Sequence, residues 1–462
     1  MQPQRAIHPE GVALKALAFA ANRAAAYLNG VTARRVAPDE PALAGLREIG
    51  GALPEQPSDE LVVIDMLDRA GSPATVATAG GRFFGFVNGA ALPVSVAATW
   101  LASAWDQNVA LRVMSPAAAA FEDVALDWTR DLLGLPAECG GGLVTGATMA
   151  NVTGLAAARH ALLARLGWNV EDQGLIGAPR ITVVAGEEVH ASVLKALGLL
   201  GLGRKLILRV PADAQGRMRA DLLPELDSRT IVCIQAGNVN TGAFDPASEI
   251  CRRARERGAW VHVDGAFGLW AAASPNLRHL TNGFEQADSW ATDGHKWPNT
   301  GYDCGIVLTR DPGALRAAMS VSAAYFRSGE LREPSDYTPE MSRRARGVEL
   351  WAVLRCLGRS GMAELFERTC RHARRFAEGL RQAGYEILNE VVINQVLVSF
   401  GPPELTRAVI ANVQADGHCW CGATEWHGRA AMRISVSSWA TTDEDVEQSI
   451  VAIRDAAERC RS

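Results

Sequence analysis

Only four of the 46 lysine and arginine side chains are lysines: Lys15, Lys195, Lys205 and Lys296. The last stands in Thr292-Asp293-Gly294-His295-Lys296-Trp297. Arginine serves a salt bridge or a solvated face as well as lysine does, but it keeps its proton at workable pH and cannot attack a carbonyl. A lysine retained directly after a histidine, in a chain that otherwise uses arginine, is a candidate Schiff-base nucleophile. Read alone, Lys296 is equally an ordinary surface lysine. Three more features bear on the choice. Gly140-Gly141-Gly142-Leu143-Val144-Thr145-Gly146-Ala147-Thr148 leads into a helix, where small residues let backbone amides approach an anion and the N-terminus favours negative charge. The plainer reading is a tight turn capped by Thr148. His190 follows a strand-like run, as a structural histidine also would. Asp264 ends the apolar run Trp260-Val261-His262-Val263, where a carboxylate must be paired or neutralised.

One cofactor uses all four features. Pyridoxal phosphate has a phosphate that needs amides and hydroxyls, and an aldehyde that needs a lysine. Its ring nitrogen must stay protonated, which a buried aspartate supports, and its flat ring accepts an imidazole as a stacking partner. An opposite charge within about 4–6 Å favours ionisation by roughly one to three pK units, so an Asp264–pyridinium pair would hold each partner charged.

Such residues need a sheet to bring them together. Ile181–Ala185, Leu206–Val210, Ile231–Ile234, Trp260–Val263 and Cys304–Thr309 read as strands, with helices over Ala147–Leu166, Ala191–Leu200 and Ala247–Arg257. Strands alternating with helices predict an α/β fold with a mostly parallel central sheet flanked by helices, whose strand ends aim side chains into one crevice. Residues 1–80 read as a helical segment, 81–347 as the large domain and 348–462 as a small C-terminal α+β domain, with a long helix from Val348 and a last helix from Asp443. The net charge of −5 gives no footprint for nucleic acid. The uncharged run Phe83–Trp105 is long enough for a bilayer, but Asn88, Pro93 and two glycines break it. Nine scattered cysteines and the lack of an apolar leader point to the cytoplasm. His418-Cys419-Trp420-Cys421 lacks the spacing of a zinc site, so no metal is expected.

At these residues the chain resembles the pyridoxal-phosphate-dependent group II amino-acid decarboxylases, which include aromatic-L-amino-acid, glutamate and diaminobutyrate enzymes. The resemblance rests on Thr145-Gly-Ala-Thr-Met-Ala-Asn151, Val189-His-Ala-Ser-Val193, Gln235-Ala-Gly-Asn-Val-Asn-Thr-Gly-Ala-Phe-Asp-Pro246, His262-Val-Asp-Gly-Ala-Phe267 and Ala287-Asp-Ser-Trp-Ala-Thr-Asp-Gly-His-Lys-Trp297. Weaker similarity runs from about Arg82 to Arg433. It implies the PLP-dependent transferase fold type I (aspartate-aminotransferase-like) and a homodimer with shared active sites. By position it implies Lys296 as the Schiff-base lysine, Asp264 on the pyridine nitrogen, Ala266 beneath the ring and His190 stacked on its other face. It places Ala147, Thr148 and His295 at the phosphate, Arg433 at the substrate carboxylate, and Tyr325 as the proton donor on a mobile loop.

Three departures from the family pattern stand out. The threonine near the ring oxygen is missing, so Asn238 is expected to substitute. The usual asparagine two residues before the histidine is Asp293, which is awkward beside a phosphate. The segment 328–341 is short for the loop of animal aromatic decarboxylases. The expected reaction is loss of CO2 from an L-amino acid to give the amine. Phe83 and Phe84, with Phe86 and Asn88 nearby, favour an aromatic substrate. Acidic or diamino-acid decarboxylation, an aldehyde synthase, a carbon–carbon lyase or a transaminase are the competing enzyme readings. A non-enzymatic scaffold would be expected to lose Lys296 or Asp264, and both are present.

Overall fold

The protein is described by a computed structural model over residues 12–321 and 331–461. Seven strands form the larger sheet: β2 (Gly140–Val144), β3 (Thr182–Gly186), β4 (Leu208–Val210), β5 (Thr230–Gln235), β6 (Trp260–Asp264), β7 (Ser289–Asp293) and β8 (Gly305–Thr309), in the order β2-β8-β7-β6-β5-β3-β4. All neighbours from β7 to β4 pair in parallel, and only β8 runs against its two neighbours. β5 through β8 are buried at every position, which a sheet covered by helices on both faces demands. The helices Ala147–Ala164 and Ala191–Leu199 begin just beyond the C-terminal ends of β2 and β3, so their N-termini open on the same edge as Asp264 and Asp293. The fold is the expected PLP-dependent transferase type.

The expected strands and helices fall within a few residues of those observed. One element differs in kind. Gly140–Val144, expected as a turn, is a strand antiparallel to β8. Three glycines carry no β-branched signal, yet the pairing requires one of them: a Cβ on Gly141 would lie 1.9 Å from the Val307 carbonyl oxygen.

Five strands form the smaller sheet, β1 (Phe83–Phe84), β9 (Glu386–Ile387), β10 (Gln395–Ser399), β11 (Trp420–Trp426) and β12 (Arg429–Ser435), in the order β1-β11-β12-β10-β9. β1 reaches it from far upstream and pairs in parallel with β11. A 37-residue helix, Arg346–Gln382, links the two cores and breaks its backbone at Gly358 with φ 58°. Leu350, Val353, Phe366 and Cys370 pack into the larger core, and Phe376 and Leu380 into the smaller. The uncharged run resolves into β1, a loop and the helix Pro93–Trp105. Among the described residues no helix is long and apolar enough to cross a membrane.

Candidate active site

The C-terminal strand ends bring the chemistry-bearing residues to one edge of the larger sheet. Asp264, the last residue of β6, is buried. Its Oδ2 accepts the Ser192 hydroxyl at 3.2 Å and its Oδ1 accepts the Ala266 amide at 3.3 Å. His190 caps the helix Ala191–Leu199: its Nδ1 accepts the Ser192 amide at 3.2 Å and lies 2.8 Å from the Ser192 hydroxyl. Burial pushes the His190 imidazole below its ordinary pKa, against the opposing pull of Asp264.

Behind Asp264 runs a buried chain of polar groups. Asn151 Nδ2 donates to the Ser192 hydroxyl at 3.1 Å, and its Oδ1 accepts from His262 Nε2 at 2.9 Å. His262 Nδ1 lies 2.8 Å from the Ser289 hydroxyl, which accepts the Trp260 indole at 2.9 Å. Burial drives His262 down to about 4, so the ring is neutral and its proton sits on the nitrogen facing Asn151. Ser192, Asn151 and His262 were not singled out as site residues, although all three lie inside the strings that carry the family resemblance.

Past the end of β7, Lys296 Nζ lies 3.3 Å from Asp293 Oδ2 and 6.0 Å from the centre of the Phe267 ring. Asp293 Oδ1 accepts the Ala147 amide at 2.5 Å and is 3.6 Å from His295 Nε2. His295 is buried, its Nδ1 accepts the Cys304 amide at 3.2 Å, and the Tyr302 ring packs on it at 4.3 Å. Burial lowers its pKa. The Tyr302 hydroxyl donates to Asn88 Oδ1 at 2.8 Å, bringing the segment around Asn88 against the lysine loop. Gly89 makes that approach possible, because a Cβ there would stand 2.0 Å from the Lys296 carbonyl oxygen.

Asn238 is buried in a turn, its Oδ1 accepting the Asn240 and Thr241 amides at 2.9 and 3.2 Å. Phe84 is fully buried and meets Phe376 edge-on in the smaller core, which removes it from a substrate pocket. Phe83 is buried and stacks on Trp420 at 5.1 Å. The exposed member of the group is Phe86, 62% accessible and held at φ 55°, in the left-handed region, beside Val87 at φ 60°. Arg433 donates to Asn240 Oδ1 at 3.4 Å, and its buried Nε has no partner among the described residues. Ala266 and Thr148 are half-buried at the same edge. Tyr325 lies outside the described residues.

This donor set fits pyridoxal phosphate: a buried carboxylate with its own hydroxyl donor, an amine, a capping histidine and a helix that starts at Gly146 without a side-chain cap. Residues 46–401 match the family model described as the pyridoxal-dependent decarboxylase conserved domain. The aromatic-L-amino-acid decarboxylase of Drosophila lebanonensis is 30% identical over 75% of this chain and 91% of that protein. The 4-hydroxyphenylacetaldehyde synthase of Rhodiola rosea is 29% identical over 74% of each chain. The crystal structure of Oryza sativa TDC with PLP and tryptamine superposes with a TM-score of 0.89 at 24% identity, covering 98% of this chain and 99% of that one. Sequence, fold and strand-end chemistry agree, and the chain belongs to the pyridoxal-dependent decarboxylase family, as an enzyme that uses pyridoxal phosphate to decarboxylate an amino acid.

Proposed function

We propose that the substrate is an aromatic L-amino acid, released as its amine and CO2. Phe86 carries this reading. It is a large aromatic side chain left accessible on a left-handed backbone, packed at a 32° tilt on Trp420 at 5.2 Å and two residues from Asn88 at the lysine loop. A non-glycine residue in that region costs of order 1–3 kcal/mol, and such cost is retained where a site uses it.

The residues divide the work by position. Lys296 supplies the amine for the covalent link. Ala147 and Thr148, at the mouth of their helix, and His295 take the phosphate. Asp264 would hold the ring nitrogen charged, with Ser192 fixing the carboxylate, while Ala266 and His190 would flank the ring. When bound, the cofactor supplies the sink for the electron pair left by the departing carboxylate. Arg433 meets the substrate carboxylate, and this orientation decides which bond breaks. Tyr325 returns the proton. Borohydride trapping followed by peptide mapping should put the label on Lys296. A label elsewhere would sink the assignment.

A second reading, oxidation to an aldehyde, follows from the similarity to the Rhodiola rosea synthase. That reaction consumes O2 and yields peroxide with CO2, so assaying CO2, amine and peroxide together over the common L-amino acids separates the two. Peroxide equal to CO2, mole for mole, would overturn simple decarboxylation, and CO2 released only from acidic or diamino acids would overturn the aromatic choice.

The same reading makes the protein a cytoplasmic homodimer with shared sites. Trp100, Leu101, Trp105, Val113 and Met114 form a run of accessible large apolar side chains on and after the helix Pro93–Trp105, of the kind that marks an interface. The nine free cysteines suit a reducing compartment. Sedimentation of the purified protein as a monomer at micromolar concentration would refute the dimer.

A further inference from the structure

The carboxylate of Asp293 stands where an anion bound at the mouth of the helix Ala147–Ala164 would stand. Its side chain is 2% exposed, its Oδ1 accepts the Ala147 amide at 2.5 Å, and its Oδ2 is 3.3 Å from Lys296 Nζ. Gly146, at the N-cap, brings no side-chain cap to this helix of 18 residues. The open N-terminus of a helix favours negative charge. Asp293 meets that preference from within the chain, and it pairs with the nucleophilic lysine at the same time.

We propose that Asp293 is a built-in competitor for the cofactor's phosphate. In the cofactor-free protein it holds the first amide of the helix and the Lys296 ammonium, and it must give up that amide before the phosphate can take it. The inference rests on the phosphate lying at this helix mouth, as proposed above. One N–H cannot serve two acceptors at full strength. A phosphate ester carries about −1.5 to −2 charges near neutral pH, and a carboxylate buried beside it is poorly screened by salt. Asparagine keeps the shape and an acceptor oxygen of aspartate but not its charge, so the substitution removes the charged part of the competition alone.

The test uses the full chain freed of cofactor and two probes without an aldehyde, neither of which can link to Lys296. Pyridoxine phosphate carries the phosphate, and pyridoxine lacks it. Equilibrium dialysis should show Asp293→Asn binding pyridoxine phosphate at least tenfold tighter than the wild type, about 1.4 kcal/mol, with pyridoxine affinity unchanged within about twofold. Unchanged or weaker binding of pyridoxine phosphate, or an equal gain for both probes, overturns the proposal while leaving the cofactor site intact. Failure of both probes to bind the wild type overturns the site as well. If the variant does not fold, the wild type labelled with carboxyl-13C aspartate decides the matter by infrared difference spectroscopy. An aspartate band that shifts with pyridoxine phosphate but not with pyridoxine supports displacement of Asp293. Identical aspartate bands with the two probes refute it.

Discussion

The Ser192 hydroxyl donates to the Asp264 carboxylate at 3.2 Å from the first turn of the helix that His190 caps. One side chain thereby joins the group expected on one face of the cofactor ring to the group expected at its nitrogen. A hydrogen bond to a charged partner contributes about 1.5–3 kcal/mol. Ser192→Ala should weaken cofactor binding by about ten- to a hundredfold, read by absorbance titration, and Ser192→Thr should restore most of it. Equal affinity of Ser192→Ala and the wild type would show that Asp264 needs no such donor.

His262 makes stability depend on pH in a definite direction. Its folded pKa is pushed down to about 4 from an ordinary 6.5 by burial, so between these values the unfolded chain binds the extra proton. Stability from this group is fully present above about 6.5 and is lost as pH falls towards 4, to a total of about 3 kcal/mol. Asp245, raised to about 6 by burial, acts in the opposite sense over much of this range, so the wild-type curve alone does not isolate His262. The difference does. Urea unfolding of wild type and His262→Gln should show the wild type's advantage shrinking by about that amount from pH 7 to pH 4. A constant gap would mean that His262 titrates normally.

Phe86 separates activity from stability. Its left-handed backbone opposes folding by about 1–2 kcal/mol, while its tilted ring contact with Trp420 contributes about 0.5–1.5 kcal/mol. Phe86→Gly relieves the first and loses the second, so the melting temperature should move by only a few degrees. The kcat/KM for an aromatic amino acid should fall about tenfold or more, chiefly through KM. A large drop in melting temperature with unchanged KM would make Phe86 a packing residue.

Glu122 should be a severe site outside the residues expected to hold the cofactor. It is fully buried, takes both arms of Arg343 at 2.8 and 3.0 Å, and accepts from Arg332 at 2.9 Å. Burial alone would raise its carboxyl, and the charges of Arg343 and Arg332 override this to hold it below the usual range. The stabilisation is therefore present above the ordinary carboxylate pKa and is lost as pH falls through the lower folded value. Glu122→Gln leaves the buried Arg343 guanidinium without its counter-charge, while Arg332 keeps Asp123 at 2.9 Å, and should cost about 3–5 kcal/mol in urea unfolding. A loss below 1 kcal/mol would show that solvent already compensates it.

The larger sheet was legible because its strands are apolar runs bounded by helices with regular periodicity. β2 and β7 carry no such signal, because glycine writes no pattern in the one and Ser289-Trp290-Ala291-Thr292-Asp293 mixes polar with apolar residues in the other. Asp264, His190 and Lys296 could be singled out by residue type and placement. Ser192, Asn151 and His262 could not, since a serine, an asparagine and a buried histidine far apart in the chain become a network only when helices and strands stack them within 3.2 Å. The differing surroundings of the three phenylalanines are illegible in the sequence for a related reason. Phe83, Phe84 and Phe86 look alike in sequence, and only β1 pairing with β11 decides which of them turn inward.

That pairing has a practical result. Phe83–Phe84 closes one margin of the smaller sheet by lying along Trp420 and Cys421. A shortened chain beginning after Gly89 would leave these backbone groups raw, and an unprotected strand margin templates pairing with another copy. Truncations meant to trim the amino-terminal helices should stop before Arg82, or the product will be lost to aggregates.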